Sequence, residues 1–149
     1  MSSFDFGDAP PQLRVKRLVP EAILPTRGTY GSAGLDLYST HDLYLRPEYR
    51  AHVQTGIAVE IPDGYVGDIR PRSSLSKQGV HCYYGTIDSD YRGEILVILH
   101  NLGSERIDLK AGSRIAQLVL VTSPRFLVVE AEELSNTVRG SNGFGSTGV

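Results

Sequence analysis

The stretch AHVQTGIAVEIPDGYVGDIR, residues 51–70, decides the fold class. It holds three short runs rich in β-branched and aromatic residues, Ala51 to Thr55, Ile57 to Ile61 and Tyr65 to Arg70. Gly56 and the turn Pro62-Asp63-Gly64 part them. Runs of this length between Gly, Pro and Asp are the signature of strands joined by tight turns. The same grammar continues outward, in Leu35 to Tyr38, Val80 to Tyr84, Glu94 to Leu99, Arg114 to Val121 and Phe126 to Glu130. Such regular spacing predicts an all-β chain, a distorted antiparallel jelly-roll-like barrel. Ile95 to Leu99 is continuously apolar, which predicts burial on both faces. Only Arg72 to Gln78, entered by Pro71 and ended by Gly79, reads as a helix, of about two turns.

With 149 residues the chain suits one domain. Residues 1–12 are a polar, flexible arm closed by Pro10-Pro11, 13–134 carry the barrel, and 135–149 form a mobile, glycine-rich tail. Fifteen basic against 17 acidic residues leave a net charge of -2, with no broad positive field for a nucleic acid or an anionic membrane. A single cysteine, Cys82, excludes an internal disulfide or a CxxC metal site and suits a reducing compartment. The start MSSFDFGDAPP shows no leader pattern, so a cytoplasmic or nuclear location is expected.

Several segments could carry chemistry. The tail spells GxGxxG at Gly143, Gly145 and Gly148, but the chain ends one residue later, without the helix a dinucleotide fingerprint needs. What it offers is bare backbone N–H groups, the hydroxyls of Ser146 and Thr147, the guanidinium of Arg139 and the ring of Phe144: donors for a polyphosphate and a plate for a flat base. An ordinary disordered terminus is the alternative. DSDYRGE, residues 88–94, lacks the oxygen ligands of a calcium loop, with Arg92 at the fifth position and Leu99 at the twelfth. It is either a polar turn or a rigid mount on which Asp88 orients a water as general base, with Tyr91 as a flat wall. PRSSLS, residues 71–76, offers donors from Arg72, Ser73 and Ser74 at a helix start, as an anion site or a plain surface helix. Gln117 stands in an apolar row, where most glutamines bond only to a neighbouring backbone group. Asp36, between Leu35 and Leu37, is either solvent-facing or an outer-shell metal ligand. The four histidines show no metal spacing.

In order and content, AGLDLYS (33–39), PRSSLS (71–76), GTIDSDYRGE (85–94), GSRIAQL (112–118) and RGSNGFGSTG (139–148) resemble the five motifs of trimeric deoxyuridine triphosphatases, the dUTP pyrophosphatases. The resemblance implies a homotrimer that hydrolyses dUTP to dUMP and pyrophosphate with Mg²⁺, its three active sites each drawing motifs from all three subunits. It implies that Asp88 orients the attacking water and that the Tyr91 ring packs on deoxyribose. The hairpin backbone leading to Asp88, with Tyr84, Gly85 and Ile87, would read the uracil edge. Arg72, Ser73, Ser74 and Gln117 would hold the phosphate chain, and Asp36 would orient the water shell of Mg²⁺. Arg139, Ser146 and Thr147 would contact the γ-phosphate, Gly145 would belong to the same substrate-binding run, and Phe144 would stack on uracil as the tail closes. Three positions depart from the family pattern: Ser74 in PRSSL, the rings of Tyr83-Tyr84 before the motif glycine, and Ser113 where an aspartate is common. The related dCTP deaminases carry a glutamate where this chain has Ile98. A non-catalytic nucleotide sensor on the same fold would have no use for Asp88.

Overall fold

The computed structural model describes residues 10–143. Its strands are β1 (Arg14–Arg17), β2 (Thr26–Arg27), β3 (Gly34–Tyr38), β4 (Leu43–Leu45), β5 (Arg50–Glu60), β6 (Tyr65–Arg70), β7 (Val80–Cys82), β8 (Gly85–Ile87), β9 (Glu94–Asn101), β10 (Ile107–Leu109) and β11 (Arg114–Thr122). The helix α1 (Ser73–Ser76) lies between β6 and β7. The strands form three sheets, ordered β1-β5-β9-β7, β2-β3-β11-β6-β8 and β10-β4. All the pairings are antiparallel, as expected of a jelly-roll-like fold. One core joins the sheets: Leu37, Ile69, Ile87 and Leu118 from the five-stranded sheet cluster with Val53, Ile57, Ile95, Val97 and Leu99 from the four-stranded one.

The long strand β5 replaces the two separate strands expected on either side of Gly56. Gly56 takes φ +67°, and the β5–β9 register slips between Gln54 and Ala58. The glycine is therefore a bulge that bends a continuous strand rather than a break. Its N–H donates to Glu94 Oε1 at 2.8 Å, and a Cβ there would meet the side chains of Val19, Thr40 and Ala22 at 2.6–2.9 Å.

In β9, Ile95, Val97 and Leu99 are fully buried, but Leu96 is 44% exposed and Ile98 half-buried, so the strand covers one face of the core and presents an apolar second face. Phe126 to Glu130 is not a strand: β11 ends at Thr122, and Phe126, Leu127, Val128 and Val129 stand exposed without a ladder partner among the described residues. The helix is a single turn, and the strand entered at Val80 stops at Cys82. Deep in the core, the amide nitrogen of Asn101 donates to the carbonyls of Leu45 (2.9 Å) and Glu105 (2.7 Å), while its oxygen accepts from Gly103 N–H (2.9 Å). Every buried polar atom of that side chain is thus satisfied, and the amide ties the β4 and β9 ends together. Among the described residues no helix is long and apolar enough to cross a membrane.

Candidate active site

Strand register brings three distant segments to one place. Gln117, in the middle of β11, lies opposite Asp36 on β3 and opposite Arg70 on β6. The chain leaving β6 turns through Pro71 into Arg72, and Arg72 Nε donates to Asp36 Oδ1 at 2.9 Å. Asp36 is thus neither solvent-facing nor alone: its side chain is only 14% exposed, and Arg114 Nη1 lies 3.5 Å from its other oxygen. A carboxylate withdrawn this far from water needs such partners. The Gln117 amide donates to the Pro71 carbonyl at 2.9 Å. Its place depends on Gly34, because a Cβ there would overlap Gln117 Oε1 and approach its Cβ and Cδ to 3.0 Å. Gly34 is therefore fixed by close approach, a requirement invisible in AGLDLYS read alone.

Gly28, Ser32, Gly34, Asp36, Arg72, Ser73, Arg114 and Gln117 line a cleft of about 240 Å³. Two guanidinium groups against one carboxylate leave it net positive, so it suits an anion. With α1 reduced to one turn, Arg72 and the exposed Ser73, rather than a helix macrodipole, supply the donors. Ser74 is tied to the same cluster, its hydroxyl 3.3 Å from Arg72 Nη1.

A second cleft, about 280 Å³, lies beside β8 and is lined by Ile69, Gly85, Thr86, Ile87, Asp88, Tyr91, Glu94 and Leu96. Strand β8 pairs with β6 on one side only, Ile69 facing Gly85 and Gly67 facing Ile87. Among the described residues no strand claims its outer backbone groups, and an edge of alternating N–H and C=O can read a planar ligand with complementary donors and acceptors. Asp88 follows directly, exposed, its carbonyl accepting from Tyr91 N–H at 3.1 Å. The Tyr91 hydroxyl donates to the Glu94 carbonyl at 3.0 Å. That clamps the ring over Gly93, where a Cβ would come within 2.6 Å of Tyr91 Cζ. The glycine of DSDYRGE thus makes room for the aromatic wall.

Of the two rings before β8, Tyr84 points to solvent, 71% exposed. Tyr83 turns back onto the other sheet. It meets His81 edge-on at 4.9 Å, its hydroxyl lies 3.2 Å from His100 Nδ1, and Arg50 sits 5.2 Å from its centroid. Cys82 is buried, and burial pushes its thiol up to about 11, which leaves it chemically quiet. Among the described residues no three His, Cys, Asp or Glu side chains could hold a metal ion together. Arg139 sits in an exposed turn near the end of the described chain, and Phe144, Gly145, Ser146 and Thr147 lie outside the described residues. The two clefts share no lining residue. Reading the sequence alone misses Gly34 and Arg114 as parts of the first cleft and Gly93 as the support of the Tyr91 ring, because each acts through a contact or a register shift that spacing does not reveal.

Comparison with known proteins supplies a family. A family model described as dUTPase matches residues 20–148. A deoxyuridine 5'-triphosphate nucleotidohydrolase of Hydrogenobaculum is 51% identical over 142 residues, covering 93% of this chain and 99% of the relative. Among solved structures, a mutant dUTPase of Staphylococcus bacteriophage 80alpha with dUpNHpp superposes with a TM-score of 0.87 at 31% identity, covering 93% of this chain and 99% of the other. A mutant dUTPase from phage phi11 of S. aureus, described for its coordination of a structural Mg(II) ion, superposes with a TM-score of 0.77 at 27% identity over 82% of this chain and 97% of that one.

Proposed function

Because the chain belongs to the dUTPase family, we propose that it hydrolyses dUTP to dUMP and pyrophosphate and that its two clefts hold the two halves of the nucleotide. The observation that carries this reading is the convergence of Asp36, Arg72 and Gln117, from three separate segments, in one positive cleft. This cleft takes the phosphate chain, with Arg72, Ser73, Ser74 and Gln117 donating to its oxygens. The cleft beside β8 takes the nucleoside. There the free edge at Gly85 and Ile87 reads the base, with Tyr84 next to it in the chain, and the Tyr91 ring fills the space a 2′-hydroxyl would need.

Asp88 accepts a proton from water as the water oxygen bonds to the α-phosphorus and the bond to the bridging oxygen of the β-phosphate breaks. The products are dUMP and pyrophosphate. Such a reaction is accelerated chiefly by positioning and charge neutralisation. Mg²⁺ suits the phosphate cleft, since this ion keeps most of its water and takes one or two carboxylates plus substrate phosphates. Asp36, the one carboxylate lining that cleft, would hold it through water, and bound Mg²⁺ would neutralise the phosphate oxygens.

A homotrimer fits the separation of the clefts, because a phosphate cleft from one copy and a nucleoside cleft from the next would complete one site. Leu96 and Phe126 to Val129 provide apolar surface for such contacts. Residues 13–134 then form the catalytic barrel behind the arm 1–12. Residues 135–149 are a lid: Arg139, Gly145, Ser146 and Thr147 would reach the γ-phosphate and Phe144 would stack on uracil, excluding water. No role in binding nucleic acid or membrane follows from this arrangement, and the buried thiol suits the cytoplasm or nucleus. Asp88→Asn should lower dUTP turnover by roughly 10²- to 10⁴-fold, the scale for a lost general base, with dUpNHpp binding largely kept. Wild-type turnover by that variant would refute the proposed mechanism.

A further inference from the structure

We infer that Arg114 is a positioning residue that holds Asp36 in place when a triphosphate draws Arg72 away; this rests on the dUTP-hydrolysing reading above. The two oxygens of Asp36 are divided between two guanidinium groups, Arg72 Nε on Oδ1 at 2.9 Å and Arg114 Nη1 near Oδ2 at 3.5 Å. Arg72 reaches Asp36 with Nε alone, which leaves its Nη groups to meet an incoming phosphate chain and pull the guanidinium toward it. A triphosphate is the more strongly charged acceptor, so binding frees Oδ1 to accept from the water shell of Mg²⁺. Arg114 then remains as the group that fixes the carboxylate's rotamer and charge.

The backbone is built to put Arg114 there. Arg114 and Gln117 are three residues apart, and in a regular strand that odd separation would send them to opposite faces. The β3–β11 register slips between Arg114 and Ala116, with Arg114 opposite Tyr38 and Ala116 opposite Leu37. Ile115 is the extra residue, and Ile115 and Ala116 are both fully buried. The bulge therefore turns Arg114 onto the face that carries Asp36 and Gln117, the kind of re-aiming for which bulges recur beside active sites. Ser113 offers no carboxylate, and among the described residues Arg114 forms its salt bridge with Asp36. The Arg114 side chain is 53% exposed, so the pair adds little to folding and can be changed without losing the barrel.

The test is calorimetric titration with dUpNHpp, with and without Mg²⁺, for wild type, Arg114→Gln, Arg114→Lys, Asp36→Asn and the Asp36→Asn/Arg114→Gln pair. The gain in affinity that Mg²⁺ confers should fall about 10-fold in Arg114→Gln, the scale for losing a partner that orients a metal ligand. Metal-free affinity should fall much less, by the loss of one cleft charge, and the melting temperature should stay near wild type. Arg114→Lys should recover part of the loss, and Arg114→Gln should cost nothing further once Asp36 is Asn. Equal losses with and without Mg²⁺ would make Arg114 a direct phosphate ligand and overturn the assignment. Additive losses in the pair, or no loss at all, would overturn it too. Wild-type protein that neither binds dUpNHpp nor hydrolyses dUTP would remove the functional reading and this assignment together, whereas failure with activity intact removes only the assignment.

Discussion

Gly34→Ala adds one methyl group at the wall of the phosphate cleft, and its effect follows from the packing of Gln117. The new Cβ would overlap Gln117 Oε1 and lie 3.0 Å from Gln117 Cβ and Cδ. Rotating the amide away relieves the contacts with Oε1 and Cδ but not the contact with Cβ, which is fixed to the β11 backbone. The amide must therefore leave the Pro71 carbonyl, and β3 and β11 must separate by a few tenths of an ångström. A lost hydrogen bond costs about 1 kcal/mol and overpacking about 1–3 kcal/mol, so stability should drop by about 2–4 kcal/mol. Binding suffers separately. A hydrogen bond to a charged group is worth about 1.5–3 kcal/mol, so a Gln117 turned from the phosphates should weaken dUpNHpp by roughly 10- to 150-fold. Calorimetry of dUpNHpp and a thermal melt read the two effects. The decisive comparison is Gly34→Ala in a Gln117→Ala background, where most of the binding loss should already have occurred. Wild-type affinity in Gly34→Ala, or the same fold-loss in both backgrounds, would refute the claim that this glycine exists for Gln117.

Further outcomes follow from other parts of the molecule. Asn101→Ala removes three hydrogen bonds from a fully buried site and should destabilise by about 3 kcal/mol in denaturant titration; a loss below 1 kcal/mol would mean that the amide does not tie β4 to β9. With its thiol raised from the ordinary 9.0 to about 11 by burial, Cys82 should resist iodoacetamide at pH 8 in the native protein and react fully in denaturant, as mass spectrometry would show. The unfolded thiol ionises first, so its linkage lowers stability as pH climbs from about 9 towards 11 and leaves it untouched below. If each site joins clefts from two copies, co-refolding inactive Asp88→Asn with inactive Arg72→Ala chains should regain about a quarter of wild-type activity, by random assortment of intact clefts; no regain would place both clefts of a site on one chain.

Much of the architecture was legible because breakers and β-branched runs act locally. Tyr65–Arg70 and the core of β11 needed no tertiary information. The failures share a physical cause. Leu96 read as buried and Phe126 to Val129 as a strand because their apolarity is real, but apolarity alone names neither a ladder partner nor a covering surface, and these side chains stand exposed. Gly56 read as a stop because a glycine with positive φ serves turns and bulges alike, and only its pairing with β9 distinguishes them. In the candidate site, the residue types of Asp36, Arg72 and Asp88 suggested chemistry, while Gln117 was singled out only as a polar residue in an apolar row. The ion pair joining the first two spans 36 positions of sequence, and no spacing rule reaches that far. Arg114 was hidden more thoroughly, since strict alternation assigns it to the wrong face and the bulge at Ile115 reverses that assignment.

The central claim is the chemistry at the α-phosphate of one nucleotide, and pyrophosphate release from dUTP, dCTP, dTTP and UTP in turn, with Mg²⁺ present, tests it most directly. Rapid release from dUTP and hardly any from the other three is the predicted result. Ammonia from dCTP, or no pyrophosphate from dUTP, would contradict it.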